Sequence, residues 1–276
     1  SIKPILISLI TELNGTHIMN KLLSTHPEFT EEINKIILDN CFHLATHRHG
    51  CCILQKIING NNENFKILLI NKLLDNCMLL IIDQYGNYVI QTILELHNKD
   101  YSNEIANKIC DNNICFFSKH KYGSNVVEKC IDFCDKETQK KIIDAMNSSE
   151  IISELILDEN GNYVVQKALN NANKKDKEMM INNITPVIPK IKCTCYGDLL
   201  LSRLLILCPT IKNELDNETV NRLSFFNIEI DENFWKRSKN NPKNNFRQNS
   251  GVNKFNDNDC YVKNELNQNL RTKQIF

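Results

Sequence analysis

Asp83-Gln84-Tyr85-Gly86-Asn87-Tyr88-Val89-Ile90-Gln91-Thr92-Ile93-Leu94-Glu95 is the best-formed copy of a motif that returns along the whole front of the 276-residue chain. Its glycine recurs as Gly15, Gly50, Gly86, Gly123, Gly161 and Gly197, at intervals of 35, 36, 37, 38 and 36 residues. A near-constant period of this length belongs to solenoids, where each unit buries its apolar face only by stacking on its neighbours.

With about 100° per residue and Asn87 as origin, Val89, Ile90, Ile93 and Leu94 fall between roughly 200° and 340°, one apolar stripe. Asn87, Gln91 and Tyr88 fall at about 0°, 40° and 100° on the opposite side. Gly86 supplies either an unusual backbone angle or a close approach where the helix starts. Asp83 stands where an acidic group suits a helix N-terminus. One such polar face would be an ordinary solvated surface, but this one recurs in register. The first and third polar positions, one turn apart, carry Cys51 and Gln55, Asn87 and Gln91, Ser124 and Glu128, then Asn162 and Gln166. The second position carries Cys52, Tyr88, Asn125 and Tyr163. A plain solvated face would fill these places with Lys, Glu and Ala.

The flanking segments supply support. Apolar residues recur at helical spacing over 30–44, 64–80, 103–117, 138–157 and 177–188, which predicts outer helices, with a turn at Asn59-Gly60-Asn61-Asn62 and with Pro186 and Pro189 ending the last. The unit at Gly15 is the weakest; Thr16, His17 and Asn20 hold its polar positions. At Gly197 the face is gone, since Asp198, Leu199 and Ser202 replace the amides and ring. Solenoid ends need an atypical covering unit, so 1–208 is read as repeats and 209–236 as a capping segment anchored by Phe225, Phe226 and Trp235. The Asn-rich stretch 237–276 is expected to be a disordered tail.

With 42% hydrophobic residues the chain can bury a core. It has no apolar run of membrane-spanning length and no signal-peptide pattern, so a cytoplasmic protein without a membrane partner is expected. Its 12 cysteines lie mostly in helix-like apolar runs and read as reduced core thiols. Thirty-three basic and 33 acidic residues cancel. If the partner is a nucleic acid, sequence-blind phosphate attraction is then a smaller part of affinity than stacking and base-edge hydrogen bonds. Lys21, Lys56, Lys129 and Lys167 each follow a third polar position, and could form a mild basic edge. His47, His49, Cys51, Cys52 and the Cys193-x-Cys195 pair lack zinc-site spacing. No Walker loop, dinucleotide fingerprint or nucleophile elbow occurs. No enzyme activity, metal or cofactor is expected.

The strings His47 to Lys56, Asp83 to Gln91, His120 to Lys129 and Asp158 to Lys167 resemble the Pumilio (PUF) family of RNA-binding proteins. The resemblance covers about residues 5 to 205 and implies an all-α, right-handed α-solenoid of three-helix repeats, about five reading repeats and a degenerate C-terminal cap. Such repeats read one base each with two or three side chains. The order matches the last five of the family's usual eight repeats, which marks the chain, begun at Ser1 without Met, as a fragment under this reading.

The resemblance also implies a code. Uracil presents a donor between two acceptors, which amide pairs complement: Asn87 with Gln91 and Asn162 with Gln166, while Tyr88 and Tyr163 stack. Guanine presents adjacent donors, which the Glu128 carboxylate accepts beside Ser124, with Asn125 flat alongside. Cys51 and Gln55 are similar to the adenine set; Cys52 departs from the ring or Arg usual there and implies weaker stacking. RNA runs antiparallel to the protein in this family, so the sets spell 5′-UGUA. The base facing Thr16, His17 and Asn20 stays open. The expected partner is single-stranded messenger RNA with a UGUA core in a 3′ untranslated region, bound by a monomer that draws in deadenylase or translational-repressor proteins. The alternatives are a PUF-like ribosome-biogenesis factor and a HEAT- or armadillo-like protein scaffold.

Overall fold

The computed structural model describes residues 3–12, 14–194 and 197–225, and every regular element among them is helical. They form six units. The first is α1 (Lys3–Thr11), α2 (Gly15–Thr25) and α3 (Thr30–Asp39); the second is α4 (Cys41–Ala45), α5 (Gly50–Ile58) and α6 (Glu63–Leu74). The third is α7 (Cys77–Ile82), α8 (Gly86–Leu94) and α9 (Lys99–Asn112). The fourth is α10 (Ile114–Lys119), α11 (Gly123–Phe133) and α12 (Lys136–Met146). The fifth is α13 (Ser149–Ile156), α14 (Gly161–Asn171) and α15 (Lys174–Ile184); the sixth is α16 (Ile188–Lys192), α17 (Gly197–Leu207) and α18 (Asn217–Phe225).

Each predicted outer support is two helices rather than one. Asn113 turns extended (φ −162°, ψ 91°) and its side chain accepts the Phe116 N–H, starting α10 afresh one residue after α9 ends. Ser148 does the same for α13 through Ile151 N–H. The long third helices share one device: Asn62, Asn98, Asp135 and Asn173 each cap with a side-chain oxygen on a backbone N–H two or three residues on. Pro186 lies in a 3-10 turn after α15, and Pro189 in the first turn of α16.

The apolar stripe is the core. Val89, Ile90, Ile93 and Leu94 are 0% exposed, as are Val164, Val165, Ala168 and Leu169 one unit further on; burying each large aliphatic is worth about 1.5–3 kcal/mol. The middle helices α5, α8, α11, α14 and α17 pack in succession. Hydrogen bonds between third helices fix the spacing: Asn103 Nδ2 donates to Asp135 Oδ2 at 2.5 Å, and Asn183 Nδ2 to the Asn147 carbonyl at 2.8 Å. Units five and six continue the stack, but Phe226 and Trp235 of the proposed anchor, the tail, and the side chain of Phe225 lie outside the described residues. All ten described cysteines are free thiols. Burial pushes Cys77 and Cys134 up to about 12, as suits packing rather than reactivity. No described helix is long and apolar enough to cross a membrane.

The unit glycines work by close approach, and none has positive φ. A Cβ on Gly86 would sit 2.9 Å from the Leu80 carbonyl oxygen, and one on Gly161 2.7 Å from that of Leu155. The same contact, to the carbonyl six residues earlier, meets the other four. Gly86→Ala is therefore expected to cost about 1–3 kcal/mol by overpacking against backbone. Urea unfolding measures it, and an unshifted midpoint would contradict the contact.

Candidate nucleic-acid interface

Every middle helix from unit two to unit five starts on the same scaffold, three residues before its glycine. Asp83 Oδ1 accepts the N–H groups of Tyr85 (2.8 Å) and Gly86 (2.7 Å), and Asp158 Oδ1 those of Asn160 (2.9 Å) and Gly161 (2.7 Å). Histidine replaces Asp in the alternate units. His47 Nδ1 accepts from His49 and Gly50, and His120 Nδ1 from Tyr122 at 3.2 Å and Gly123 at 3.3 Å. His47 is thus part of a helix start.

On this scaffold the predicted side chains come together helix by helix. Asn87 Nδ2 donates to the Asp83 carbonyl at 2.8 Å, and Gln91 Nε2 donates to Asn87 Oδ1 at 2.8 Å. Unit five repeats both bonds: Asn162 Nδ2 to Asp158 O at 2.7 Å and Gln166 Nε2 to Asn162 Oδ1 at 2.9 Å. In unit four Ser124 Oγ and Asn125 Nδ2 both donate to the Lys121 carbonyl, and Glu128 lies one turn on, half-buried. In unit two Cys51 and Cys52 donate to the Arg48 carbonyl, with their sulfurs 4.0 Å apart and Gln55 half-buried beyond. The neighbouring Cys51 sulfur, with Lys56 and Arg48 close by, draws the Cys52 thiol below its ordinary range.

Exposure is graded across the face. Tyr88 (49%) and Asn125 are exposed and Tyr163 is half-buried, so the second position is the accessible one. The first position is sunk: Cys51, Asn87, Ser124 and Asn162 are buried, because this residue lies in the first helical turn beside the tight glycine contact. The polar side is therefore not a simple outward face. The amide of Asn87 acts largely as a prop, and as bonded, Gln91 keeps its Oε1 and a second N–H for an incoming edge. In unit one His17 is exposed on α2, while the side chains of Thr16 and Asn20 lie outside the described residues.

A family model for the Pumilio-family RNA binding repeat matches residues 40–74, 76–110, 113–146 and 152–185, which correspond to units two to five. The chain belongs to the Pumilio family. It is 32% identical over 218 residues to Pumilio domain-containing protein C6G9.14 of Schizosaccharomyces pombe, covering 78% of this chain and 31% of that protein. It is 31% identical to Pumilio homolog 12 of Arabidopsis thaliana, over 72% of this chain and 33% of that protein. The chain thus spans about a third of the length of these relatives. The Puf4 RNA binding domain bound to the HO endonuclease RNA 3′ UTR recognition sequence matches with a TM-score of 0.65 and 30% identity, over 73% of this chain and 65% of that one. PUF-8 in complex with PBE-RNA has the same fold, with a TM-score of 0.65 at 24% identity over 75% of this chain and 62% of that one.

Within these Pumilio repeats the expected basic edge takes another form at Lys129 and Lys167. Lys167 Nζ pairs with Asp132 Oδ2 at 2.6 Å, and Lys129 pairs with Glu95, so each lysine reaches back to an acid of the preceding unit. These cations fasten units together, and sequence reading missed the partners because they lie a full repeat away.

The two capping histidines confer a pH dependence on the Pumilio array. Burial holds His47 and His120 below 6.5, His47 also through His49 and His43. The folded state thus favours the neutral imidazole that can accept at Nδ1. That stability is fully present above pH about 6.5 and is lost as pH falls below it through the depressed folded values. The urea midpoint of the wild type is expected to drop between pH 7.5 and 5.5, and the double variant H47D/H120D, capped as units three and five are, to lose much of that drop. Equal drops in both proteins would contradict the capping role.

Proposed function

We propose that this chain reads single-stranded RNA containing 5′-UGUA, in messenger 3′ untranslated regions, and acts in the cytoplasm as a monomer that lowers translation or message stability. The observation that carries the reading is the order of the four sets on consecutive packed helices: amides with a ring, a carboxylate with a flat amide, amides with a ring, then a thiol with an amide. Taken antiparallel, they complement U, G, U and A in turn. Gln91, with one acceptor and one donor to spare, meets the N3–H and O4 of uracil. The half-buried Glu128 offers two acceptor oxygens to the N1–H and N2–H of guanine and repels an acceptor-rich edge, so it discriminates as well as binds.

The RNA complexes of the related Puf4 domain support the RNA class of partner. Message repression rests on membership of the family. A protein partner such as a deadenylase or translational repressor has a surface to use: Phe42 (38%), Leu79 (56%) and Phe116 (49%) stand exposed on the first helices of three successive units. The scaffold reading, in which protein contacts are the whole function, leaves the registered amides and rings without a purpose, and excess UGUA oligonucleotide displacing any bound partner would count against it.

Fluorescence anisotropy with short RNAs tests the code. Glu128→Gln is expected to shrink the preference for G over A at the second base by about 5- to 100-fold, the weight of a bidentate pair at roughly 1–3 kcal/mol. An unchanged preference would overturn the assignment. Tyr88→Ala is expected to weaken UGUA binding by about 1–3 kcal/mol through lost stacking, and wild-type affinity in that variant would remove the ring from the interface.

A further inference from the structure

From the third unit on, the residue six after the unit glycine is Thr92 in α8, Lys129 in α11, Lys167 in α14 and Arg203 in α17. The first three serve the fold. Thr92 Oγ1 donates to the Tyr88 carbonyl at 2.8 Å, Lys129 pairs with Glu95, and Lys167 pairs with Asp132. The two acids stand nine residues after their own glycines, and at that place unit five has Asn170. Arg203 reaches the reading face instead. Its Nη1 donates to Gln166 Oε1 at 3.5 Å, and its guanidinium carbon lies 5.9 Å from the centroid of the Tyr163 ring.

Two further observations place this group in the binding site. Gln166 is 2% exposed, whereas Gln55 and Gln91, in the same position of their units, are half-buried. The unit that carries Arg203 also has Leu199 where units three and five have Tyr88 and Tyr163, so that position supplies no ring beside the last reading set. A guanidinium is planar, stays charged and stacks on flat π-systems, bases included; an ammonium has no plane to offer.

On the reading above, we propose that Arg203 is a further RNA contact whose guanidinium stacks on the outer face of the base read by Asn162 and Gln166. In the free protein it rests over Tyr163 and covers Gln166. When the first uracil enters, the side chain turns aside and lies on the base, closing the array at its 5′-RNA end in place of the missing ring. The sixth unit, which has no reading set of its own, thereby still contributes to recognition.

Anisotropy titrations at one salt concentration test this with wild type, R203A and R203K on two RNAs: a 5′-UGUA oligonucleotide, and the same oligonucleotide with an abasic first nucleotide. R203A is expected to bind the intact RNA about 5- to 100-fold more weakly, the range of one stacking contact. R203K, which keeps the charge and spares the fold should R203A not fold, is expected to recover little of that loss. On the abasic RNA all three proteins are expected to agree within about twofold, since the stacked plane is gone. Wild-type affinity in R203A, full rescue by R203K, or an equal loss on both RNAs would overturn the assignment in favour of no contact, a phosphate contact or a structural role. If wild type fails to prefer UGUA over 5′-ACAA, the underlying reading fails and this one with it. If that preference holds while R203A is unaffected, only the role of Arg203 falls.

Discussion

The contact between each unit glycine and the carbonyl six residues before it governs the rest of the molecule. Without a Cβ in the way, the start of the middle helix closes onto the short first helix, and in units two to five the Asp or His three residues upstream ties the turn between them. Once that joint is fixed, the three polar positions that follow have no freedom as to where they emerge. Because the joint repeats, the same three positions emerge at the same place in every unit. The register of the face is a consequence of packing, and the chemistry was added at positions the packing had already set.

Charge is then used for assembly. A chain with equal numbers of acids and bases could still present a positive groove, but Lys129 and Lys167 are drawn back onto Glu95 and Asp132. Further cations join the third helices: Lys140 reaches Asp176 at 3.2 Å and Lys141 reaches Asp111 at 2.9 Å. What remains at the face is largely neutral, amide, hydroxyl, thiol and ring. Such groups discriminate base edges and contribute little blind attraction to phosphate.

Much of this was legible in the sequence because it is written in periods. The spacing of the glycines gave the solenoid, and the helical wheel of Asp83 to Glu95 gave both the buried stripe and the polar positions. What stayed hidden depends on distance or on local geometry. The outer supports read as single helices because the apolar rhythm runs on through Asn113 and Ser148, whose caps break the backbone without breaking the pattern. Asn87 and Asn162 read as surface groups because a wheel shows direction and not depth; they are buried by the neighbouring turn. The lysine pairs and the reach of Arg203 to Gln166 join residues a repeat apart, and no local window contains both partners.

The central claim is that successive middle helices present their polar sets at a pitch that successive bases follow. An unbiased selection of RNA from a randomised pool by the wild-type chain measures this most directly. Enrichment of one contiguous 5′-UGUA element, with G at the second place most sharply defined, is the predicted result. Recovery of sequences without a common four-base element, or of structured duplexes in place of single strands, would contradict it.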